Sequence, residues 1–280
     1  MLGTSIRDGY TSSLVPLLLI AVLLLLSACA AQTRLDAIAA DAGFGRSIID
    51  SGTFRHLIYS HNIAASQYDV LHVYLEGDGN PWIRPNIIAV DPTGRKPLAM
   101  QLMALDKNPS VYIGRPCYHG FYKDKPCNPK LWTHARYAQP VVTSMRNVLR
   151  MLIKRLDVKS LYLVGYSGGG VLAMLLSEEI PQVKKVITIA ANLDIEAWAR
   201  LHNYSPLVTS LNPAKRLEHY QNLIQHHLAG GLDENVPLQI IRQFVDRQDA
   251  RRVKMTLYDK FNHSCCWVSE WPNIVPDLEK

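Results

Sequence analysis

The stretch of residues 161–170 constrains the fold more than any other part of the chain. It is an apolar run of β-type residues that ends in a Gly-x-Ser-x-Gly pattern around Ser167, and a helix-like run, 171–179, follows it. A serine on a sharp turn between a strand and a helix takes strained backbone angles, and its neighbours must be small for the turn to close. The sequence therefore predicts an exposed serine at the end of a buried strand.

Such a turn suits a nucleophile. The hydroxyl projects from the edge of the sheet, and the N-terminus of the next helix brings a partial positive charge to it. The amide of Gly168 is then placed to bind a developing oxyanion. In this strand–turn–helix context the pattern is typical of a catalytic serine. A glycine-rich turn with an incidental serine is the alternative.

The N-terminal residues 1–28 are typical of an export signal. Residues 14–26 are apolar except for Pro16, and this run is short for a membrane span but suits the core of a signal peptide. The segment Leu26-Ser27-Ala28-Cys29 resembles the lipobox of bacterial lipoproteins. The resemblance implies cleavage before Cys29, a diacylglycerol on its thiol and a further acyl chain such as palmitate on its amine, which together make a stable anchor.

The residue after the cysteine indicates the destination. Ala30 stands where an inner-membrane retention signal usually has Asp, so we expect a lipid anchor in the outer membrane with the folded part in the periplasm. A plain secretory signal with a chance cysteine and an uncleaved anchor helix are the alternatives. We divide the chain into a signal peptide, 1–28, a lipidated N-terminus and tether, 29–42, and one domain, 43–280.

The cysteine count fits an oxidising compartment. Without Cys29 four cysteines remain, and an even number favours disulfides. We expect Cys117 to bond to Cys127, which closes a short loop and stabilises the fold by about 3 kcal/mol. The adjacent Cys265 and Cys266 are open to a vicinal bridge, free thiols or pairing with the first two. No second ligand pair has the spacing of a metal site.

Composition and charge narrow the class of protein. The chain is 48% hydrophobic and 19% charged, which permits a substantial core, and its formal net charge is +6. The basic residues are scattered, without a stripe interleaved with aromatics, so we expect a solvated surface that favours anionic lipid headgroups and no nucleic-acid partner.

Strand-like and helix-like runs alternate through the domain. A helical apolar spacing covers 141–156, and a further helix is expected over 237–244. Alternation with short links predicts a mostly parallel sheet with helices on both faces. The predicted strands are 54–60, 70–75, 110–113, 161–164, 186–190, 223–227 and 253–258.

A nucleophilic serine needs a base, and the base needs an orienting acid. His263 lies in the loop after the last predicted strand, which favours it as the base over the other histidines. Asp233 follows the preceding strand and is our first choice of acid. Asp194, one strand earlier, and Glu234 remain open, and Asp233 has an alternative role as a cap of the next helix.

The loop Glu76-Gly77-Asp78-Gly79 follows an earlier strand, where a second oxyanion donor should lie. Together with the Ser167 turn, this chain resembles the α/β-hydrolase superfamily over almost the whole domain. That family usually carries His-Gly-x-Gly here, and Glu76 replaces the histidine. The resemblance implies that the amides of Asp78 and Gly168 form the oxyanion hole; a turn without a catalytic part is the alternative.

The resemblance implies the α/β-hydrolase fold and acyl transfer through Ser167, with no cofactor. The acidic loop around Asp78 could also suggest a divalent metal, but the chain offers no matching ligand cluster, so we expect no metal. We expect a small-molecule or lipid ester as substrate, cleaved as a carboxylic ester or thioester. Residues 194–220 lie where such enzymes insert a lid, so we expect a small cap, or else an ordinary crossover helix. A peptidase or amidase, and a non-catalytic binding lipoprotein, are the competing functions.

Overall fold

A computed structural model describes residues 34–64 and 67–279. The predicted signal peptide and Cys29 lie outside the described residues. Within those residues, every helix is too short or too polar to cross a bilayer.

The fold is organised around an eight-stranded sheet with the order β1-β2-β6-β3-β7-β8-β9-β10. Strand β2 is antiparallel to both of its neighbours, and the strands from β6 to β10 are all parallel, so the prediction of a mostly parallel sheet is confirmed. A separate hairpin pairs β4 with β5. The strands are β1 Gly45–Asp50, β2 Arg55–His61, β3 Tyr68–Leu75, β4 Trp82–Arg84, β5 Ile87–Ile88, β6 Ser110–Ile113, β7 Val158–Tyr166, β8 Val183–Ile189, β9 Ile224–Gly230 and β10 Val253–Tyr258.

Helices cover both faces of the sheet. On one face α3, α4, α5 and α6 share a core with the sheet, and on the other face α1, α2 and α7 share a second core. Strand β3 contributes to both, because Leu71, Val73 and Leu75 point to the first face and Tyr74 to the second. The helices are α1, residues 34–41, α2 Leu98–Ala104, α3 Gln139–Leu156, α4 Gly168–Ser177, α5 Ile195–Leu201, α6 Leu238–Val245 and α7 Trp267–Glu279.

All seven predicted strands exist, with ends shifted by a few residues. The sequence analysis did not predict β1, the β4–β5 hairpin or α2. It also missed α7, which carries Pro272 and Pro276 inside the helix and so lacks an ordinary helical signature.

The predicted tether corresponds in part to folded structure. Residues 34–41 form α1, whose Leu35 and Ala39 are buried in the core shared with α2 and α7. The predicted domain boundary at residue 43 therefore lies too late in the chain, because the apolar spacing of Leu35 and Ala39 places them on one buried helical face.

Two disulfides are present in the described residues. Cys117 bonds to Cys127, and Cys265 bonds to its neighbour Cys266. Cys117 is fully buried in a small cluster with Phe54, Tyr118 and Trp132. The first bridge closes the segment of residues 117–127 on itself, and the contact of Cys117 with Phe54, just before β2, packs this segment on the body of the domain.

Candidate active site

Ser167 occupies a sharp turn between β7 and α4. Its backbone has φ 51° and ψ −121°, a strained conformation for a residue with a side chain. The amide of Ser167 donates to the carbonyl of Ile189 at the end of β8, 2.8 Å away. A Cβ on Gly165 would lie 2.4 Å from the carbonyl oxygen of Gly169, so glycine is required for β7 and α4 to approach this closely.

His263 bridges the serine to an acid. Its Nε2 lies 3.1 Å from Oγ of Ser167, and its Nδ1 lies 2.9 Å from Oδ2 of Asp233. A proton on Nδ1 donates to the carboxylate and leaves the Nε2 lone pair facing the serine hydroxyl. The structure therefore brings together the three side chains that the sequence analysis singled out. They lie in the turn or loop that follows β7, β9 and β10, respectively.

Asp233 is held in place by its own loop. Its side chain is fully buried, and Oδ1 accepts from the amides of Asn235 at 2.9 Å and Val236 at 2.8 Å. These two bonds leave Oδ2 for His263. The sequence analysis weighed Asp233 as a cap of the next helix, but α6 has Pro237 at its N-cap and no side-chain cap bond, so Asp233 orders the turn before the helix and does not cap it.

The two other candidate acids do not contact the histidine. Asp194 caps α5 by accepting from the amides of Glu196 and Ala197, each at 3.1 Å. Glu234 is exposed.

Asn235 is a site residue that sequence reasoning missed. Its Nδ2 lies 3.0 Å from Nε2 of His263, on the nitrogen that also faces Ser167. Its backbone carbonyl accepts from Trp198 Nε1 at 2.7 Å and from His202 at 2.8 Å. The only signal in the sequence was its position two residues after Asp233. It joins the cap segment to the acid loop.

The loop of residues 76–79 packs directly on the serine turn. A Cβ on Gly77 would lie 3.3 Å from Cβ of Ser167, and a Cβ on Gly168 would lie 2.0 Å from Oδ1 of Asp78. The two residues expected to supply oxyanion-binding amides, Asp78 and Gly168, are therefore neighbours beside Ser167.

The side chain of Asp78 has a role that the sequence analysis did not foresee. Its carboxylate accepts from the guanidinium of Arg115, from Arg136 at 2.8 Å and from the Tyr137 hydroxyl at 2.7 Å. Burial raises the pKa of Asp78, but the charges of Arg136 and Arg115 outweigh it and hold this pKa well below its usual range. The loop therefore carries a permanent, paired anion.

The segment after β6 supplies two of the groups that fix this loop. Arg115 binds the Asp78 carboxylate, and the Tyr118 hydroxyl donates to the Asp78 carbonyl at 2.9 Å. Cys117, between them, is bonded to Cys127. The disulfide thus restrains the residues that position the loop.

Glu76, which replaces the family's histidine, ties the same loop to α2. Its Oε1 accepts from the amide of Gly77 at 3.1 Å, and its Oε2 accepts from the amide of Ala99 in the first turn of α2 at 3.0 Å. Burial raises the pKa of Glu76 and the backbone amide bonds lower it by less, so the pKa rises from 4.5 to about 7. Glu76 is thus an anchor of the loop and titrates near neutral pH.

Ser167 and His263 line a cavity of about 950 Å³. The predicted cap segment, 194–220, contains α5 and two short 3-10 turns, and it contributes Trp198, Tyr204 and Leu207 to the cavity wall. In the described part of the chain, no three His, Cys, Asp or Glu side chains gather in the way that a metal ion requires.

A comparison of sequences finds a family model that matches part of the chain. A family profile described as "Alpha/beta hydrolase of unknown function (DUF915)" matches residues 135–241, which include α3, the serine turn and Asp233. No curated protein matches the chain.

Solved structures match over most of the chain. The esterase Pf2001 of Pyrococcus furiosus superposes with a TM-score of 0.59 at 10% identity, covering 86% of this chain and 93% of that one. A serine hydrolase without a lid from Xanthomonas campestris gives 0.53 at 9% identity, covering 84% and 94%. A serine hydrolase homologue from Coxiella burnetii gives 0.52 at 14% identity, covering 84% and 95%.

These likenesses, together with the sheet order, establish the architecture. The protein has the α/β-hydrolase fold, as the sequence resemblance implied, and its structural neighbours include an esterase and serine hydrolases. At such low identity the likeness concerns the fold alone.

Glu76 generates a prediction on stability. Between pH 4.5 and 7 the folded protein retains a proton on Glu76 that the unfolded chain has lost, so its contribution to stability falls as pH rises through this range. The measured quantity is the free energy of unfolding of the wild type minus that of Glu76→Gln. We expect this difference to fall by on the order of 3 kcal/mol from pH 5 to pH 8.

Urea unfolding of both proteins at the two pH values measures this difference. Buried histidines change stability with pH in both proteins, so their effect cancels in the comparison. An identical pH dependence in the wild type and Glu76→Gln would contradict the assignment.

Proposed function

We propose that this protein is a serine hydrolase that cleaves carboxylic esters or thioesters through an acyl-enzyme on Ser167. The observation that carries the proposal is the hydrogen-bond chain from Ser167 Oγ to His263 to Asp233, with distances of 3.1 and 2.9 Å, at the wall of a large cavity. Nucleophile, base and orienting acid in hydrogen-bond contact form the arrangement that acyl transfer requires.

In the first step Ser167 attacks the substrate carbonyl, and Nε2 of His263 accepts the hydroxyl proton. Asp233 holds the imidazole in the tautomer with its proton on Nδ1 and stabilises the imidazolium that forms. His263 then gives the proton to the leaving alcohol or thiol. Water then attacks the acyl-enzyme and gives a proton to Nε2 of His263, and this proton returns to Oγ of Ser167 as the carboxylic acid leaves.

The amides of Gly168 and Asp78 bind the oxyanion in this proposal. The support is the packing of the 76–79 loop on the serine turn and the buried contacts that fix Asp78. Donors that are held before the substrate arrives cost no reorganisation during the reaction, and each contributes about 3–4 kcal/mol to stabilising the transition state.

We also propose that the protein is anchored to the bacterial outer membrane, on its periplasmic side, through lipid on Cys29. Only residues 30–33 separate Cys29 from Arg34 at the start of α1, so their Cα atoms are at most about 18 Å apart. Arg34 lines the cavity. An anchor at Cys29 would therefore hold the cavity close to the bilayer surface.

The test of the proposed reaction is hydrolysis of 4-nitrophenyl butyrate. We expect Ser167→Ala to lower kcat/KM by at least about 10³-fold, and Asp233→Asn to lower it by about 10³–10⁴-fold because the imidazole loses its correct tautomer. Asp194→Asn is the matched control. It changes the rival acid to another good helix cap, so kcat/KM should stay within about twofold.

Either of two results would contradict the assignment. One is hydrolysis by Ser167→Ala at the wild-type rate. The other is a loss in Asp194→Asn as large as that in Asp233→Asn.

The anchor proposal predicts incorporation of a clickable fatty acid in cells. Label should appear on the wild type and be absent from Cys29→Ala, which lacks the acceptor thiol and the processing site. Ser167→Ala should keep the label, which separates lipidation from an acyl-enzyme on the active serine. Label of wild-type intensity on Cys29→Ala would contradict the proposal.

A further inference from the structure

The cavity beside Ser167 is lined by an excess of cationic side chains. Arg34, Arg95, Lys96 and Arg136 line it, whereas the acidic side chains in its lining are Glu76 and Asp78 alone. Arg34, Arg95 and Lys96 are exposed, and among the residues that the structure describes none of the three has an ion-pair partner.

The backbone holds Arg95 and Lys96 close to the loop beside the serine. On one side, a Cβ on Gly94 would lie 3.2 Å from Cα of Gly79. On the other side, α2 begins two residues after Lys96, and the amide of Ala99 in its first turn donates a hydrogen bond to Glu76. The two cations thus lie between two contacts with the same loop of residues 76–79.

The acidic groups of the lining do not neutralise these cations. The carboxylate of Asp78 is bound by Arg136, Arg115 and the Tyr137 hydroxyl. The carboxylate of Glu76 is buried against backbone amides, and burial raises its pKa to about 7. The positive charge of Arg95 and Lys96 therefore faces the cavity mouth without a counter-charge from its lining.

Part of the lining is apolar. Trp82 from β4 and Trp198, Tyr204 and Leu207 from the cap segment contribute aromatic and aliphatic surface. Such surface suits an acyl chain, and cations without a counter-charge suit a negative group at a distance from the scissile bond.

We propose that the substrate is an ester that carries an anionic group, a carboxylate or a phosphate, which Arg95 and Lys96 bind at the mouth of the cavity. This inference rests on the proposed serine hydrolase function and names the substrate class of that site. Two kinds of substrate carry such an anion: a free ester of a small acid, and a phospholipid with an anionic headgroup.

The test compares substrates that differ in charge and share one leaving group. The full-length protein in neutral detergent is assayed with mono-4-nitrophenyl adipate, which is anionic, and 4-nitrophenyl hexanoate, its neutral counterpart of equal acyl length. We expect kcat/KM to be about tenfold higher for the anionic ester, and the preference to weaken as ionic strength rises.

A second arm distinguishes the source of the anion. Release of fatty acid from dioctanoyl phosphatidylglycerol is compared with release from dioctanoyl phosphatidylcholine. A preference for the anionic substrate in the first arm identifies a free acid ester, and a preference in the second identifies a phospholipid headgroup.

The variant Arg95→Gln/Lys96→Gln connects the preference to these residues. We expect it to lower kcat/KM for the preferred anionic substrate about tenfold and to leave the neutral ester unchanged, with its loss mainly in KM. The matched control is Lys154→Gln/Arg155→Gln, which removes an adjacent exposed pair at the end of α3. Both variants should unfold at the wild-type temperature.

Ser167-dependent hydrolysis with no charge preference in either arm would overturn this inference and leave the proposed function standing. So would a preference that survives in Arg95→Gln/Lys96→Gln. Absence of any Ser167-dependent hydrolysis would overturn both.

Discussion

The close approach of β7, β8 and the first turn of α4 at Ser167 is the constraint on which the rest of the site depends. Ser167 keeps its strained backbone because its amide bonds to the end of β8 and the first turn of α4 packs on the end of β7. Strain of this kind costs about 1–3 kcal/mol and persists only where the surrounding structure fixes it. The same edge of the sheet receives the loops after β9 and β10, so Asp233 and His263 reach the serine.

A second layer of buried polar contacts fixes the loop beside the serine. Asp78 is held by two guanidinium groups and a tyrosine, and Glu76 is held by backbone amides of the loop and of α2. A buried charge is tolerated only when it is paired and hydrogen-bonded, so this layer has few alternative arrangements. The Cys117–Cys127 bridge restrains the chain that supplies Arg115. The loop is therefore positioned before any substrate binds.

The sequence predicts what depends on local pattern. The strand–turn–helix around Ser167 and the alternation of strands and helices are local, and His263 was found from its place after the last strand. The anchoring of Asp78 was not predictable, because Arg115 and Arg136 are 37 and 58 residues away and nothing local pairs them with it. Helix α7 was missed because prolines such as Pro272 and Pro276 usually interrupt a helix. Helix α1 was missed because its two core residues lie in a polar and alanine-rich stretch.

The most direct test of the account is covalent labelling of the folded protein with a fluorophosphonate, followed by intact mass measurement and peptide mapping. An activated serine forms a stable adduct with this reagent, whereas ordinary serines do not. The account predicts one phosphonate per chain on Ser167, none on Ser167→Ala, and labelling of His263→Ala slowed by orders of magnitude because the base is gone. A folded wild type that takes no label, or an adduct on a different residue, would contradict it.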